Sequence, residues 1–526
     1  MRRSLLIILS LAIVLFSQCT TAHFDIVITN GTVYDGTGNA PVRADIGIID
    51  GYISGIGENL STRGATVIDA DKLIVAPGFI DIHTHCDSRI LLKDSMNAVK
   101  NFLTQGVTTV VTGNCGGGRY DVGKFFHQLD SIGTGPNIVH LIGHGKIRNK
   151  VMGNENREPT VAELAEMKKL VAAGMKDGAA GISTGLFYTP GVYSSTGEIV
   201  ELTRVVKEYG GFYATHMRDE SNYTIGLEEA VKEAITIGEQ TGIRVEISHL
   251  KALGKPVWGI SGKICDLIEE ARNRGVHVYA DQYPYNASST GLSSAIVPAW
   301  AQAGKQMKQR LTDPQLLPRI KKEMAENIDR RGGPESMVII SYPNDHRFDG
   351  KNLSEISAII QKPVVETAIF LIVDGNPGMV SFNMNDSDVV NFMKKDYVMT
   401  CSDGSIEVPG NNVPHPRSYG SFPRKIRKYV LDEKIISMEQ AIKAATSMPA
   451  DMTGLKDRGY LEVGKVADIV VFNPETIRET ATFAEPHQYS TGVEYLLVNG
   501  DMVIDKGQYN GKLSGKAIRC NHKEFQ

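Results

Sequence analysis

The chain has 526 residues, 42% of them hydrophobic and 22% charged, a composition that excludes intrinsic disorder and collagen-like order and leaves ample material for a large core. Lys and Arg number 56 against 60 Asp and Glu, a formal charge of −4 with no long run of one sign, which speaks against a nucleic-acid binder. At roughly 150 residues per domain the length suggests three or four domains, but an α/β barrel takes about 200 to 250 residues as one unit.

Arg2 and Arg3 precede an apolar stretch from Leu5 to Phe16. It is too short to span a bilayer and has the pattern of a signal-peptide core, so the protein is expected to be exported. Two endings fit. Cys19 could carry a lipid and hold the chain on a bacterial membrane, or cleavage near Thr21–Ala22 would leave it in the periplasm. The six cysteines, at 19, 86, 115, 265, 401 and 520, show no framework spacing. A metal-bound thiolate is expected in preference to a disulfide scaffold.

From Phe24 to about Asp71 the chain reads as short strands, with hairpin signals at Asn30-Gly31 and Asp50-Gly51. The same texture returns near the C-terminus, in GKVADIVVFNP and in EYLLVNGDMVID around Asn499-Gly500. Both ends are expected to join into one small β-sandwich domain, residues 23–75 with 455–526.

Between them, over 76–454, apolar strands recur near 78–83, 107–113, 138–143, 179–184, 211–216, 244–249, 276–281 and 397–402. Helical stretches such as SMNAVKNFLTQG, TVAELAEMKKLVAAG and GLEEAVKEAITIGEQTG separate them. Eight alternations predict a closed (β/α)8 TIM barrel of the α/β class. A doubly wound sheet is the alternative, although no Gly-rich nucleotide fingerprint follows the first strand. The seventh step is long, with an insertion over about 300–380 that reads either as a lid or as decoration.

Barrel chemistry sits at the C-terminal strand ends. In order these carry His83/His85, Asn114/Cys115, His144, Ser183/Thr184, His216, His249, Asp281 and Asp403. In GFIDIHTHCD, His83 and His85 lie two apart on a strand and so point to one side. Such a pair suits a cation like Zn²⁺, though alone it is equally a turn or surface pair. His216 and His249 each end a strand; singly each reads as a core histidine, but three such ends converging on one axis favour a metal site. Spacing does not choose among Cys86, Cys115 and Cys401 for a thiolate. Asp403, in VMTCSDGS, is placed to move a proton if it is more than an Asp-Gly turn residue.

These motifs, with IGHGKIRNKVMG, GISTGLFYTPG, THMRDE, ISHLKALG, DQYPYNASSTG and HPRSYGSFPR, resemble the amidohydrolase superfamily and more closely its D-aminoacylase branch, the N-acyl-D-amino-acid deacylases. The resemblance runs from about Phe24 to Gly507. It implies zinc-dependent hydrolysis of N-acyl-D-amino acids to a carboxylate and a free D-amino acid. Cys115, His216 and His249 would hold a tight zinc, and His83 and His85 a weaker second site. Asp403 would be the catalytic acid/base. Lys251 and Tyr283 would grip the α-carboxylate, Tyr188 and Ser289 would line the pocket, and Arg417 would be a further anion-binding residue. The fourth strand, AAGISTGL, lacks the lysine that many amidohydrolases use to bridge two metals, in keeping with the cysteine-using branch. Family members acting on acidic D-amino acids place an arginine just after the YPY segment. Ala295, Ile296 and Val297 stand there in this chain, so a neutral or apolar D-side chain is expected. The rival readings are a dipeptidase for peptides with a C-terminal D-residue, a cyclic-amide hydrolase of the dihydropyrimidinase or hydantoinase type, and a non-catalytic exported metal- or carbohydrate-binding protein.

Overall fold

The computed structural model describes residues 23–520; the signal-peptide and Cys19 expectations lie outside them. Five strands open the chain: β1 (Ile26–Val33), β2 (Val42–Ile49), β3 (Tyr52–Gly57), β4 (Thr66–Asp69) and β5 (Ile74–Pro77). Seven follow from β6 (Phe79–Thr84), β7 (Val107–Thr112), β8 (Asn137–Gly143) and β9 (Gly181–Gly185) to β10 (Phe212–His216), β11 (Arg244–Ile247) and β12 (Val278–Gln282). Then come β13 (Ser288–Gly291), β14 (Met337–Ile339), β15 (Gly378–Ser381) and β16 (Val398–Thr400), and last β17 (Ile469–Phe472), β18 (Val493–Val498), β19 (Asp501–Asp505) and β20 (Gln508–Tyr509).

Strands β6 to β12 and β16 form one parallel sheet in the order β16-β12-β11-β10-β9-β8-β7-β6. Its two edges meet through Asp403 N–H to His83 O (2.9 Å) and His85 N–H to Gly404 O (2.8 Å), which closes the barrel and joins two site segments. Every residue of β6 and β7 is buried, as expected of barrel strands covered on both faces. The outer helices bury one stripe each. In Leu227–Thr241 the buried positions include Leu227, Ala230, Val231, Ala234 and Ile235, and left-handed Gly242 ends the helix. Thr160 and Glu163 cap Val161–Lys176 reciprocally. The helix predicted over 95–106 shrinks to Lys100–Leu103, because Val99 takes a left-handed conformation (φ 48°) that interrupts it.

The small domain is one nine-stranded mixed sheet, with β5 from the N-terminal end pairing antiparallel with β17 from the C-terminal end. Both termini thus build this domain as expected, around a core that includes Ile28, Ile46, Ile68, Ile469 and Leu497. Asp50-Gly51 and Asn499-Gly500 turn hairpins as predicted, but Asn30-Gly31 does not. Asn30 (φ 62°) instead forms a bulge inside β1, where its amide N–H donates to Asp45 Oδ1 at 2.9 Å. Gly31 is required beside it, since a Cβ there would lie 2.5 Å from Val75 Cγ2.

Phe79, 1% exposed, ties barrel to sheet by stacking on Phe422 at 5.5 Å and meeting Phe472 at 6.3 Å. Phe79→Ala is expected to cost about 3–5 kcal/mol, read as a lower midpoint in chemical unfolding. An unchanged midpoint would mean that this contact does not hold the two units together.

The insertion extends a little beyond the predicted limits. Strands β13, β15 and β14 form a separate antiparallel sheet. With helices that include Leu292–Ile296, Leu317–Arg330, Leu353–Ile360 and Val364–Asp374, they enclose a second core around Ile320, Met324, Leu371 and Met379.

Candidate active site

At the C-terminal end of the barrel the strand ends converge on a cavity of about 270 Å³. His85, Cys115, His216, His249, Lys251, Tyr283, Ser289, Tyr188, Asp403 and Arg417 all line it. Three of them, Cys115 (φ 52°), His249 (φ 38°) and Asp403 (φ 48°), are non-glycine residues in left-handed backbone. Such conformations are costly, and here they turn the side chains off the strand ends toward one point. The Cys115 loop is held by Ser183, whose hydroxyl donates to Gly113 O (2.5 Å) and accepts from Gly116 N–H (3.1 Å). The glycines after Cys115 serve close packing: a Cβ on Gly118 would lie 2.1 Å from Leu141 O.

The donor atoms suit a tetrahedral cation. Cys115 Sγ is 3.7 Å from His216 Nδ1 and 3.6 Å from His249 Nε2, and the two nitrogens are 2.9 Å apart. Zinc with ordinary bond lengths requires about 3.5 Å and about 3.3 Å for these separations. Burial, reinforced by Asp403 and Glu220, pushes the Cys115 thiol well above its usual range, so a thiolate there calls for a nearby cation. Cys86 and Cys401 are fully buried and do not line the cavity, so of the three candidates Cys115 is the one that faces it. The five described cysteines form no disulfide.

A second group lies against the first. His83 Nε2 is 3.5 Å from Cys115 Sγ and 3.6 Å from Asp403 Oδ1, and His85 Nε2 is 3.1 Å from Asp403 Oδ1. His83, His85 and Asp403 together offer three donors for a metal. Below them Asp281 accepts the backbone N–H of His249 at 2.7 Å, fixing that loop, and approaches His83 Nδ1 at 3.3 Å, which orients the His83 ring. Burial would push Asp281 up, but Glu246 and His83 outweigh it and hold the carboxyl down. Burial, reinforced by the neighbouring Asp281 carboxylate, pushes the Glu246 carboxyl well above the usual range.

Asp403, 8% exposed, also faces Arg417, whose Nη1 is 2.8 Å from Oδ2 in an ion pair not aligned as a hydrogen bond. Burial opposes ionisation of Asp403, yet Arg417 and the neighbouring histidines outweigh it and hold the carboxyl well below the usual range. The Arg417 guanidinium lies 4.7 Å above the Tyr283 ring, and the buried Tyr283 hydroxyl has no hydrogen-bond partner among the described residues. Tyr188 packs on His216 (4.6 Å) and bonds Thr290 (3.1 Å).

Lys251 is less free than expected. Its ammonium donates to Glu220 Oε1 (2.5 Å) and contacts His249 Nδ1 (2.7 Å). Glu220 was not singled out from the sequence. It stands four residues after His216 in THMRDE, which is the signal that could have found it. Phe187, which lies in GISTGLFYTPG beside Tyr188, is a further lining residue, as are Tyr223 and Arg331, which no quoted motif contains. Three strand-end candidates are structural: His144 bonds Glu198 (2.7 Å), Asn114 bonds Val111 O (3.2 Å), and Thr184 bonds Tyr213 (2.9 Å).

Comparison with known proteins agrees with this arrangement. The profile described as "Amidohydrolase family" matches residues 66–261 and 394–504. A D-aminoacylase of Alcaligenes xylosoxydans xylosoxydans is 33% identical, over 95% of this chain and 99% of that protein. An N-acyl-D-glutamate deacylase from Bordetella Bronchiseptica, solved with zinc and a phosphonate inhibitor, superposes with a TM-score of 0.80 at 32% identity, covering 95% of this chain and 100% of that one. A D-hydantoinase structure reaches a TM-score of 0.54 at 15% identity, over 95% of this chain and 100% of its own, and shares the fold alone. A closed barrel with a cysteine and histidines gathered at its mouth, matched over nearly its whole length, places this chain in the amidohydrolase family, within its D-aminoacylase branch.

Proposed function

We propose that the protein hydrolyses the amide bond of N-acyl-D-amino acids, releasing a carboxylate and the free D-amino acid. The observation that carries this reading is the triangle of Cys115, His216 and His249 donors facing Asp403 across one cavity. Cys115, His216 and His249 would hold a tight zinc; His83 and His85, with Asp403, would form a weaker second site. In support, a D-aminoacylase 31% identical to this chain is described with a binuclear metal centre, activated by one metal and attenuated by a second.

Zinc held there supplies a Lewis acid that polarises a carbonyl and makes a water more acidic. Asp403, ionised at neutral pH, accepts the proton of the attacking water and returns it to the departing nitrogen. Arg417 keeps Asp403 ionised between turnovers and, with the unpartnered Tyr283 hydroxyl, presents donors to the substrate α-carboxylate. Lys251 adds positive charge to that wall while its bond to Glu220 fixes its position. An anchored carboxylate and an anchored carbonyl fix two substituents of the α-carbon, and room for the side chain on one side only would then select a single handedness.

Kinetics on the enantiomers of N-acetylmethionine test the reading. The zinc-loaded protein is expected to favour the D form by at least about 100-fold in kcat/KM, since the wrong enantiomer leaves buried polar groups unpaired. Equal rates, or hydrolysis of neither, would overturn it.

We further propose that the protein is exported, on the strength of Arg2, Arg3 and the apolar Leu5–Phe16 stretch, with Cys19 available for a lipid.

A further inference from the structure

The insertion contributes one charged side chain to the catalytic cavity, Arg331. It follows the helix Leu317–Arg330, where Gly332 (φ 101°) and Gly333 (φ 94°) turn the chain away. Its neighbour Arg330 instead lines an adjoining cavity and bonds Asn222. Arg331 is 2% exposed, and no carboxylate lies within 4.0 Å of its guanidinium among the described residues. Its partners are neutral. Nε donates to the Tyr223 hydroxyl at 2.7 Å, and Nη1 reaches the Asn383 amide oxygen at 3.1 Å. The same oxygen accepts from Ser288 Oγ, another lining residue, at 3.0 Å.

A buried guanidinium without a counter-charge is expensive, and a fold retains one where an anion arrives. Apart from Cys115, whose thiolate would be matched by the metal, five charged side chains line the cavity: Lys251, Arg331 and Arg417 against Glu220 and Asp403. Lys251 is paired with Glu220 and Arg417 with Asp403, which leaves Arg331 as the unbalanced charge. Ala295 and Val297, on which the expectation of an apolar side chain stood, line the adjoining cavity and not this one. Arg331 also lies between the two stretches that the family profile matches, so it belongs to the part of the chain outside that profile.

We propose that Arg331 is a specificity-determining residue whose guanidinium, flanked by Ser288 and Asn383, receives a second carboxylate of the substrate, distinct from the α-carboxylate. That carboxylate can sit on the D-side chain or on the acyl chain; its chemistry at Arg331 is the same. The inference rests on the deacylase reading above and names the substrate class within it.

The test uses zinc-loaded wild type, Arg331→Met and Arg331→Lys with four substrates. N-acetyl-D-glutamate and its neutral isostere N-acetyl-D-glutamine examine the side chain, N-succinyl-D-leucine with N-acetyl-D-leucine the acyl chain. In one of these pairs the wild type is expected to favour the second carboxylate by about 10- to 100-fold in kcat/KM, the strength of a buried hydrogen bond to a charged group. Arg331→Met should lose that preference, mainly through KM, so that the charged and neutral substrates of the pair become alike in kcat/KM; Arg331→Lys should restore part of it. A wild type without preference in either pair overturns the proposal, whether or not the variants fold. So does an Arg331→Met that slows all four substrates equally, which would assign Arg331 to the α-carboxylate or to the fold.

Thermal shift with glutarate against butyrate separates the two readings. If nothing is hydrolysed but glutarate alone stabilises the wild type and not Arg331→Met, the deacylase reading fails and the anion subsite stands. If neither acid stabilises and nothing is hydrolysed, both fail.

Discussion

Asp403→Asn is expected to keep its zinc and lose hydrolysis of N-acetyl-D-methionine by about 10²- to 10⁴-fold in kcat, the usual contribution of a positioned acid/base. The side chain keeps its shape and its place beside His85 (3.1 Å) and Arg417 (2.8 Å), but an amide cannot take up the proton that a carboxylate accepts. The Cys115, His216 and His249 donors are untouched, so zinc measured by elemental analysis should stay near one per chain. KM should move little, since the lost interaction belongs to proton transfer and not to substrate binding. An asparagine variant as active as the parent would remove Asp403 from the proton-transfer role.

Cys115→Ala is expected to lose both the metal and the activity. Its Sγ lies 3.5–3.7 Å from nitrogens of His83, His216 and His249, so it faces both donor groups. Without the thiolate, the tight site keeps only two neutral imidazoles. Zinc content should fall from about one per chain toward zero after dialysis, and excess zinc should restore little turnover. Cys86→Ala and Cys401→Ala serve as controls: both thiols are buried away from the cavity, and both variants should retain metal. Full zinc content in Cys115→Ala would place the metal elsewhere, with His83, His85 and Asp403 the next candidate group.

Much of the barrel was legible because its cues are local. A strand covered on both faces reads as an apolar run, and its helix carries a stripe at helical spacing, so eight alternations could be counted along the chain. Turn chemistry is local too, yet ambiguous. Asn30-Gly31 and Asp50-Gly51 carry the same signal, but the first makes a bulge because β1 continues past it, pairing with β2 on both sides of the bulge and with β5 beyond it. The second closes a true hairpin because β2 and β3 pair only after the turn.

By itself the sequence determined which residue types stand at the strand ends, and hence a metal-dependent hydrolase barrel with His83, His85, Cys115, His216, His249 and Asp403 at its mouth. Only the tertiary structure gathered the nitrogens of His83, His216 and His249 around the Cys115 sulfur, tied Lys251 to Glu220, and brought Arg331 into the cavity from an inserted unit. The physical reason is distance along the chain. Strand-end positions follow from a repeating local pattern, whereas Arg331 meets Ser288 and Asn383 only once a separate sheet and core have folded, and no local preference encodes that encounter.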